Sequence, residues 1–288
     1  MSNKRDKSLE RTEFLHCLVR LAVAKYVNPG FMTDVSEAVE RLCSADIAPK
    51  LGIELQDPNT FRRDLCYTEE VDNVLRRHEP SLKLLFGVLA KRPTKKENKS
   101  LGLLLSLGDW KVAVRRLELI GVDFAERDAT RCFVFSRMCV IDGSSERGRL
   151  KEGSLPFEGF LEALCRVALL KALPTDEEMV ENGFNPQSET YEYLEWLKYE
   201  EGDAYDDLLD SYSSSWGSAP RQLLCRALDK LLQLLFHTVE DQIDNNDYVK
   251  SKSENGTLTP KEMGNWKDRM WADRCGGAGI DRAKGTFG

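Results

Sequence analysis

Apolar side chains recur at helical spacing along most of this chain. Phe14, Leu18, Leu21 and Ala22 form one stripe, which predicts an amphipathic helix over Glu10 to Val27, stopped by Asn28-Pro29-Gly30. Val35, Ala38, Val39 and Leu42 mark a second helix, Asp34 to Ala45, followed by a loop through Asp57-Pro58-Asn59. Thr68 stands as the N-cap of Glu69 to His78, with acidic residues in the first turn. Pro80 is expected to open a separate helix, Ser81 to Ala90, carrying Leu82, Leu84, Leu85, Phe86 and Leu89. A basic loop, Arg92 to Ser100, leads to a helix with Trp110, Val112, Val114, Leu117 and Leu119. Asp123 and Glu126 have capping-box spacing for a helix from Ala125 to Met138. A hydrophilic loop, Asp142 to Gly153, precedes the helix of Phe160, which ends near Leu173. Thr175 and Glu178 repeat the box spacing for a short helix after Pro174.

From Glu189 to Asp210 the chain turns acidic, with Lys198 as its single base. The composition favours a solvated acidic insertion. Its aromatics, among them Tyr191, Tyr193, Trp196, Tyr199 and Tyr205, also suit partner docking. Ser211 to Pro220 reads as a linker. Arg221 to Asp241 is the strongest helical pattern, with Leu224, Leu228, Leu231, Leu232, Leu235 and Phe236. Thr259 to Arg274 is a last expected helix, and the glycine-rich end after it is expected to fray. No stretch shows the β-branched alternation of a strand, so the expected fold class is all-α.

One helix-opening pattern is written more than once. It reads Glu13-Phe14-Leu15-His16-Cys17-Leu18-Val19-Arg20-Leu21-Ala22 near the N-terminus and Gly159-Phe160-Leu161-Glu162-Ala163-Leu164-Cys165-Arg166-Val167-Ala168 mid-chain. A looser copy is Ser106-Leu107-Gly108-Asp109-Trp110. Each opens a helix after a polar, basic or glycine-containing stretch. In this the chain resembles the EF-hand superfamily, over Ser81 to Leu173 as one pair and Arg221 to Arg274 as a further unit. Phe61-Arg62-Arg63, Tyr67-Thr68-Glu69-Glu70-Val71-Asp72, Phe133-Val134-Phe135-Ser136-Arg137-Met138 and Phe157-Glu158-Gly159-Phe160-Leu161 are similar to EF-hand-like, mostly helical proteins of flagellated protists and algae. The resemblance implies paired helix–loop–helix units and a calcium-sensing or scaffold role. The expected organisation is a helical region over 1–80, a degenerate EF-hand-like pair over 81–185, an acidic insertion and linker over 186–220, and a C-terminal helix–loop–helix with its tail over 221–288.

A working loop of that family needs oxygen ligands at positions 1, 3, 5 and 7, glycine at 6 and a bidentate glutamate at 12. A loop ending at Glu13 has no entering helix and few acids. In the next, Leu105 takes the apolar position 8 and Asp109 position 12, while Asn98, Ser100 and Gly102 fall at 1, 3 and 5 and Lys95, Lys96 and Lys99 repel a cation. In the third, Leu155 takes position 8, position 12 is Gly159, and Asp142 to Gly159 spans 18 residues rather than 12. Both are expected to be metal-free. The fourth, Ser251 to Glu262, fits best: Ser251, Ser253, Asn255, Thr257 and Glu262 are its candidate calcium ligands, with Gly256 at the turn. Two serines in place of aspartates make the expected site weak. Thr259-Pro260-Lys261-Glu262 is equally a capping box that needs no ion, with proline at the first helical position.

Composition narrows the function classes. A net charge of −7 over 288 residues argues against general nucleic-acid binding. Apolar content of 41% with 31% charged residues suits a soluble globular protein. No apolar run reaches the ~18 residues of a membrane span. The start of the chain is polar and basic, with Lys4, Arg5, Lys7 and Arg11, which sets the expectation of a cytoplasmic protein, with a ciliary or flagellar location following the resemblance. The eight cysteines form no Cys-x-x-Cys pair and, apart from Cys275 in the tail, read as small buried residues. No phosphate loop or nucleophile elbow is present. His16, His78 and His237 lack an evident catalytic partner, so no catalytic residue is assigned. The leading expectation is a non-catalytic adaptor or regulatory protein that offers apolar grooves to an amphipathic helix of a partner. The alternative is a calcium-independent structural component of the axoneme or cytoskeleton.

Overall fold

The computed structural model describes residues 11–51, 57–140, 145–211, 220–244, 260 and 266. The chain forms two compact units, Met1–Asp57 and Pro58–Gly288.

In the first unit, α1 (Arg11–Ala22) continues through a wide π-type turn, Val23–Val27, where Asn28 N–H donates to the Val23 carbonyl at 2.9 Å. Gly30, at φ +83°, then reverses the chain, a conformation that favours glycine. Asp34 opens α2 (Val35–Arg41) by accepting from the N–H groups of Ser36 and Glu37 at 2.7 and 3.0 Å. A second π-type turn, Leu42–Ile47, leads into α3 (Ala48–Leu51). Ala22, Ala38 and Leu42 are buried between the helices, and Lys25 and the Tyr26 hydroxyl both bond Asp46. The expected stripe is only partly used: contact runs through Ala22, while Phe14 and Leu21 stay exposed.

The second unit starts with α4 (Pro58–Phe61), helical where a loop was expected because proline suits a first turn. A π-type turn, Arg62–Cys66, precedes α5 (Glu69–Leu89). Thr68 caps α5 as expected, its Oγ1 accepting from Val71 N–H. The two helices expected on either side of Pro80 are one. Proline costs about 3 kcal/mol in a helix interior. Here Val71, Val74, Leu82, Leu85, Phe86 and Leu89 from both sides enter the same core, and that burial outweighs it.

Next come β1 (Leu105–Ser106), α6 (Leu107–Arg116), α7 (Glu126–Phe135), α8 (Glu146–Glu152), β2 (Ser154–Leu155) and α9 (Phe157–Leu170). The strands pair antiparallel, Leu105 with Leu155 and Ser106 with Ser154, which corrects the expectation of a chain without strands. They are two residues long, too short for any alternation to show in sequence. Helix α8 occupies a stretch expected as loop; Ser145 caps it by accepting from Gly148 N–H at 3.0 Å. Asp123 does not cap α7. Its carboxylate instead accepts from Lys171 Nζ at 2.9 Å and Ala172 N–H at 2.9 Å, holding the end of α9. Trp110, Phe124, Phe133 and Phe160 fill the centre, and Trp110 Nε1 donates to the Ala129 carbonyl at 2.8 Å.

Thr175 and Glu178 form the expected capping box at α10 (Asp176–Glu181). The acidic stretch folds into α11 (Thr190–Glu200) and α12 (Gly202–Ser211). Met179, Tyr193, Leu197 and Leu208 build a small second core there, so several aromatics expected to face partners are spent on internal packing. The last long helix, α13 (Leu224–Asp244), packs on α5, α9 and α11. The described part of the chain is therefore mostly helical, around one two-stranded ladder.

Candidate functional site

Two segments, α5–β1–α6 and α7–α8–β2–α9, are joined at their short strands. The residues that sequence register placed at position 8 of the two loops, Leu105 and Leu155, are the pair that face each other across the ladder, and both are fully buried. Backbone bonds between Lys91 and Leu104, 3.0 Å in both directions, close the base of the first loop.

The first loop satisfies its buried carboxylate internally. Asp109, at the register position of the bidentate ligand, is almost fully buried and accepts from Lys91 Nζ at 2.9 Å and from Ser106 Oγ at 2.9 Å. Ser106 Oγ in turn accepts from Asp109 N–H at 3.1 Å, capping α6. A tethered ammonium thus holds the carboxylate that a divalent cation would need. In the second loop the corresponding residue is Gly159. A Cβ there would meet the Ser136 carbonyl and Leu155 Cδ2, both at 3.2 Å, so a side chain at that position requires its neighbours to give by a few tenths of an ångström. Among the described residues, no three His, Cys, Asp or Glu side chains converge as a metal site.

The apolar faces of α5 and α9 belong to the paired helices whose grooves were expected to receive a partner helix. The chain's own α13 covers them, through Leu224, Leu228, Leu231, Leu232, Leu235 and Phe236. Polar contacts fix this helix on several sides. Asp229 meets His78 at 3.2 Å and Arg77 at 3.4 Å. Buried Lys230 pairs with Asp176, and Arg226 and Arg221 reach Asp176 and Glu178 at 3.3 and 2.7 Å, so basic residues of α13 and of the segment just before it oppose the acidic first turn of α10. Thr190 Oγ1 donates to Gln233 at 2.8 Å, and Gln242 donates to the Arg116 carbonyl at 2.7 Å. Burial raises the Asp229 carboxyl, but the hydrogen bond and charge of His78, with Arg77, outweigh it, and the carboxyl lies below its ordinary value.

A buried charge cluster locks the chain before α5 onto α9. Glu162 accepts from Arg62 Nε at 2.9 Å and Arg166 Nη2 at 2.7 Å. Arg62 Nη2 also donates to the carbonyls of Phe135 and Arg137 at 3.1 and 3.2 Å, satisfying the end of α7. Arg166 lies 4.1 Å from the Phe61 ring centre. The Cys165 thiol beside it is pushed up by its hydrogen bond with Cys66 and by burial. Cys66, Cys132 and Cys165 are buried as expected of small apolar residues, whereas Cys17, Cys43 and Cys139 are exposed. His78 and His237 are packed, His237 stacked on Tyr191 at 3.6 Å, while His16 is exposed.

The candidate ligands Ser251, Ser253, Asn255, Thr257 and Glu262 lie outside the described residues. Beyond them Trp266 is buried in the main core, and its Nε1 donates to Gln242 at 2.9 Å. No helix among the described residues is long and apolar enough to cross a membrane. No protein-family profile, curated protein or solved structure matches the chain.

Proposed function

We propose that this chain is a non-catalytic, EF-hand-like adaptor or regulatory protein whose central helix–loop–helix pair keeps its shape without metal. The observation that carries the reading is the Leu105–Leu155 pairing. Two loops whose helix-opening sequences repeat are joined back to back at the same register position. The Lys91–Asp109 ion pair and the close approach at Gly159 explain how each loop holds its form without an ion. Weak calcium binding is assigned to the C-terminal loop with Ser251, Ser253, Asn255, Thr257 and Glu262. Because α13 fills the groove between α5 and α9, a partner helix must either displace it or dock elsewhere.

The test is a calcium titration of the metal-stripped protein by calorimetry and tryptophan fluorescence, repeated with Glu262→Gln. Trp266, buried and hydrogen-bonded to Gln242, reports changes in its own surroundings beyond the candidate ligands. Saturable binding lost in Glu262→Gln is the expected result. No binding up to millimolar calcium removes the ion from this reading and leaves the calcium-independent structural component of the axoneme or cytoskeleton.

A further inference from the structure

A cavity of about 600 Å³ lies between the first loop, α8 and the segments flanking α8. Its volume falls in the ~300–1,000 Å³ range of small-ligand sites. Leu101, Leu104, Met138 and Pro156 give it an apolar wall. Arg147 and Lys151, one turn apart on α8, supply its charged groups, and none of the described lining residues is acidic. Arg147 is anchored by donating to Ser100 Oγ at 3.1 Å, and neighbouring Glu146 bonds Lys95 at 2.6 Å.

The charge around the cavity runs against that of the chain. Both charged residues of the described lining, Arg147 and Lys151, are basic, in a protein of net charge −7. A concave apolar wall beside a cluster of like charge concentrates ligands of opposite sign. We propose that this cavity binds a small soluble anion with an apolar body, such as a medium-chain carboxylate. The body would lie against Leu101, Leu104 and Met138, and the carboxylate would face Arg147 and Lys151. A guanidinium and an ammonium at this spacing suit a carboxylate, and an alkyl chain leaves no polar group unpaired against the apolar wall.

The probe is decanoate, titrated by calorimetry into the full chain, with decanol as the uncharged analogue of the same body. Met138→Trp adds bulk to the apolar wall and Lys151→Glu reverses one of the lining charges. Both side chains are exposed, and thermal melts verify that the variants fold. Arg76→Glu, exposed on α5, is the control for a charge change elsewhere. The expected result is single-site decanoate binding, about tenfold weaker in each cavity variant, weaker for decanol and unchanged in the control. Absence of saturable binding overturns the proposal. So does equal affinity in all variants, which would place decanoate on another apolar surface, such as the exposed face of α1.

Discussion

The Lys91 ammonium donates to the Asp109 carboxylate at 2.9 Å, joining the start of the first loop to the helix that leaves it. Asp109 is nearly buried while Lys91 is half exposed, so the carboxylate depends on the lysine more than the lysine depends on it. Lys91→Met should therefore destabilise the fold by about 1 kcal/mol, discounted for the exposure of the lysine. Millimolar calcium should not restore the loss, because the loop's register positions 1, 3 and 5 are Asn98, Ser100 and Gly102 rather than carboxylates. Urea melts with chelator and with calcium check this; full rescue by calcium would show a competent site beneath the lysine.

Gly159 offers a second check on the same idea. Alanine is favoured over glycine by about 1 kcal/mol in a helix interior. At this position the Ser136 carbonyl, 3.2 Å from a new Cβ, is backbone and cannot swing aside. Gly159→Ala should lower the melting temperature despite its propensity, and Gly159→Glu should lower it further. A gain in stability from either would show that α9 can move away.

Glu162 serves two arginines from opposite directions, one of them 100 residues distant in sequence. Glu162→Gln removes the buried carboxylate that Arg62 and Arg166 share, at an expected cost of about 3–5 kcal/mol. A loss below about 1 kcal/mol in denaturant melts would mean that solvent reaches the cluster.

Helix α13 is a structural part of the second unit in this account. Leu231 is fully buried, and Leu231→Ala should cost about 2–5 kcal/mol while keeping one cooperative transition. A separate early transition by circular dichroism would mark α13 as a detachable strap.

The same helix holds a partly buried carboxylate that makes stability acid-sensitive. The folded Asp229 carboxyl is depressed, so its stabilising effect is fully present above the ordinary carboxylate range and is lost as pH falls through the lower folded value. Asp229→Asn should lose about 1–3 kcal/mol at neutral pH. Wild type and variant should converge in strong acid, as pH-dependent melts will show. A constant difference at all pH values would mean that the ionised form is not what stabilises.

Local signals were legible in the chain. Thr68, Thr175 and Glu178 form caps where their spacing placed them, because a cap involves residues only three apart. The repeat at Ser106 and Gly159 puts Leu105 and Leu155 in one register, and the two pair across the ladder. Long-range partners were not legible. Asp123 has capping-box spacing to Glu126, yet its bonds run to Lys171 and Ala172, which no local spacing encodes. Helix α8 lacks an apolar stripe, and only Ser145 at its start could have signalled it. The roles of Lys91 and Arg62 emerge only once the fold brings them to Asp109 and Glu162.

The most direct test of a metal-independent pair is the thermal unfolding of the full chain in chelator and in millimolar calcium, for wild type and Glu262→Gln. The account predicts that the main transition shifts only slightly, since a weak site near its dissociation constant adds about 0.4 kcal/mol. Glu262→Gln should remove even that shift. A large calcium-dependent rise in the main transition that persists in Glu262→Gln would contradict the account, because it would place a tight ion in the loops closed by Lys91 and Gly159.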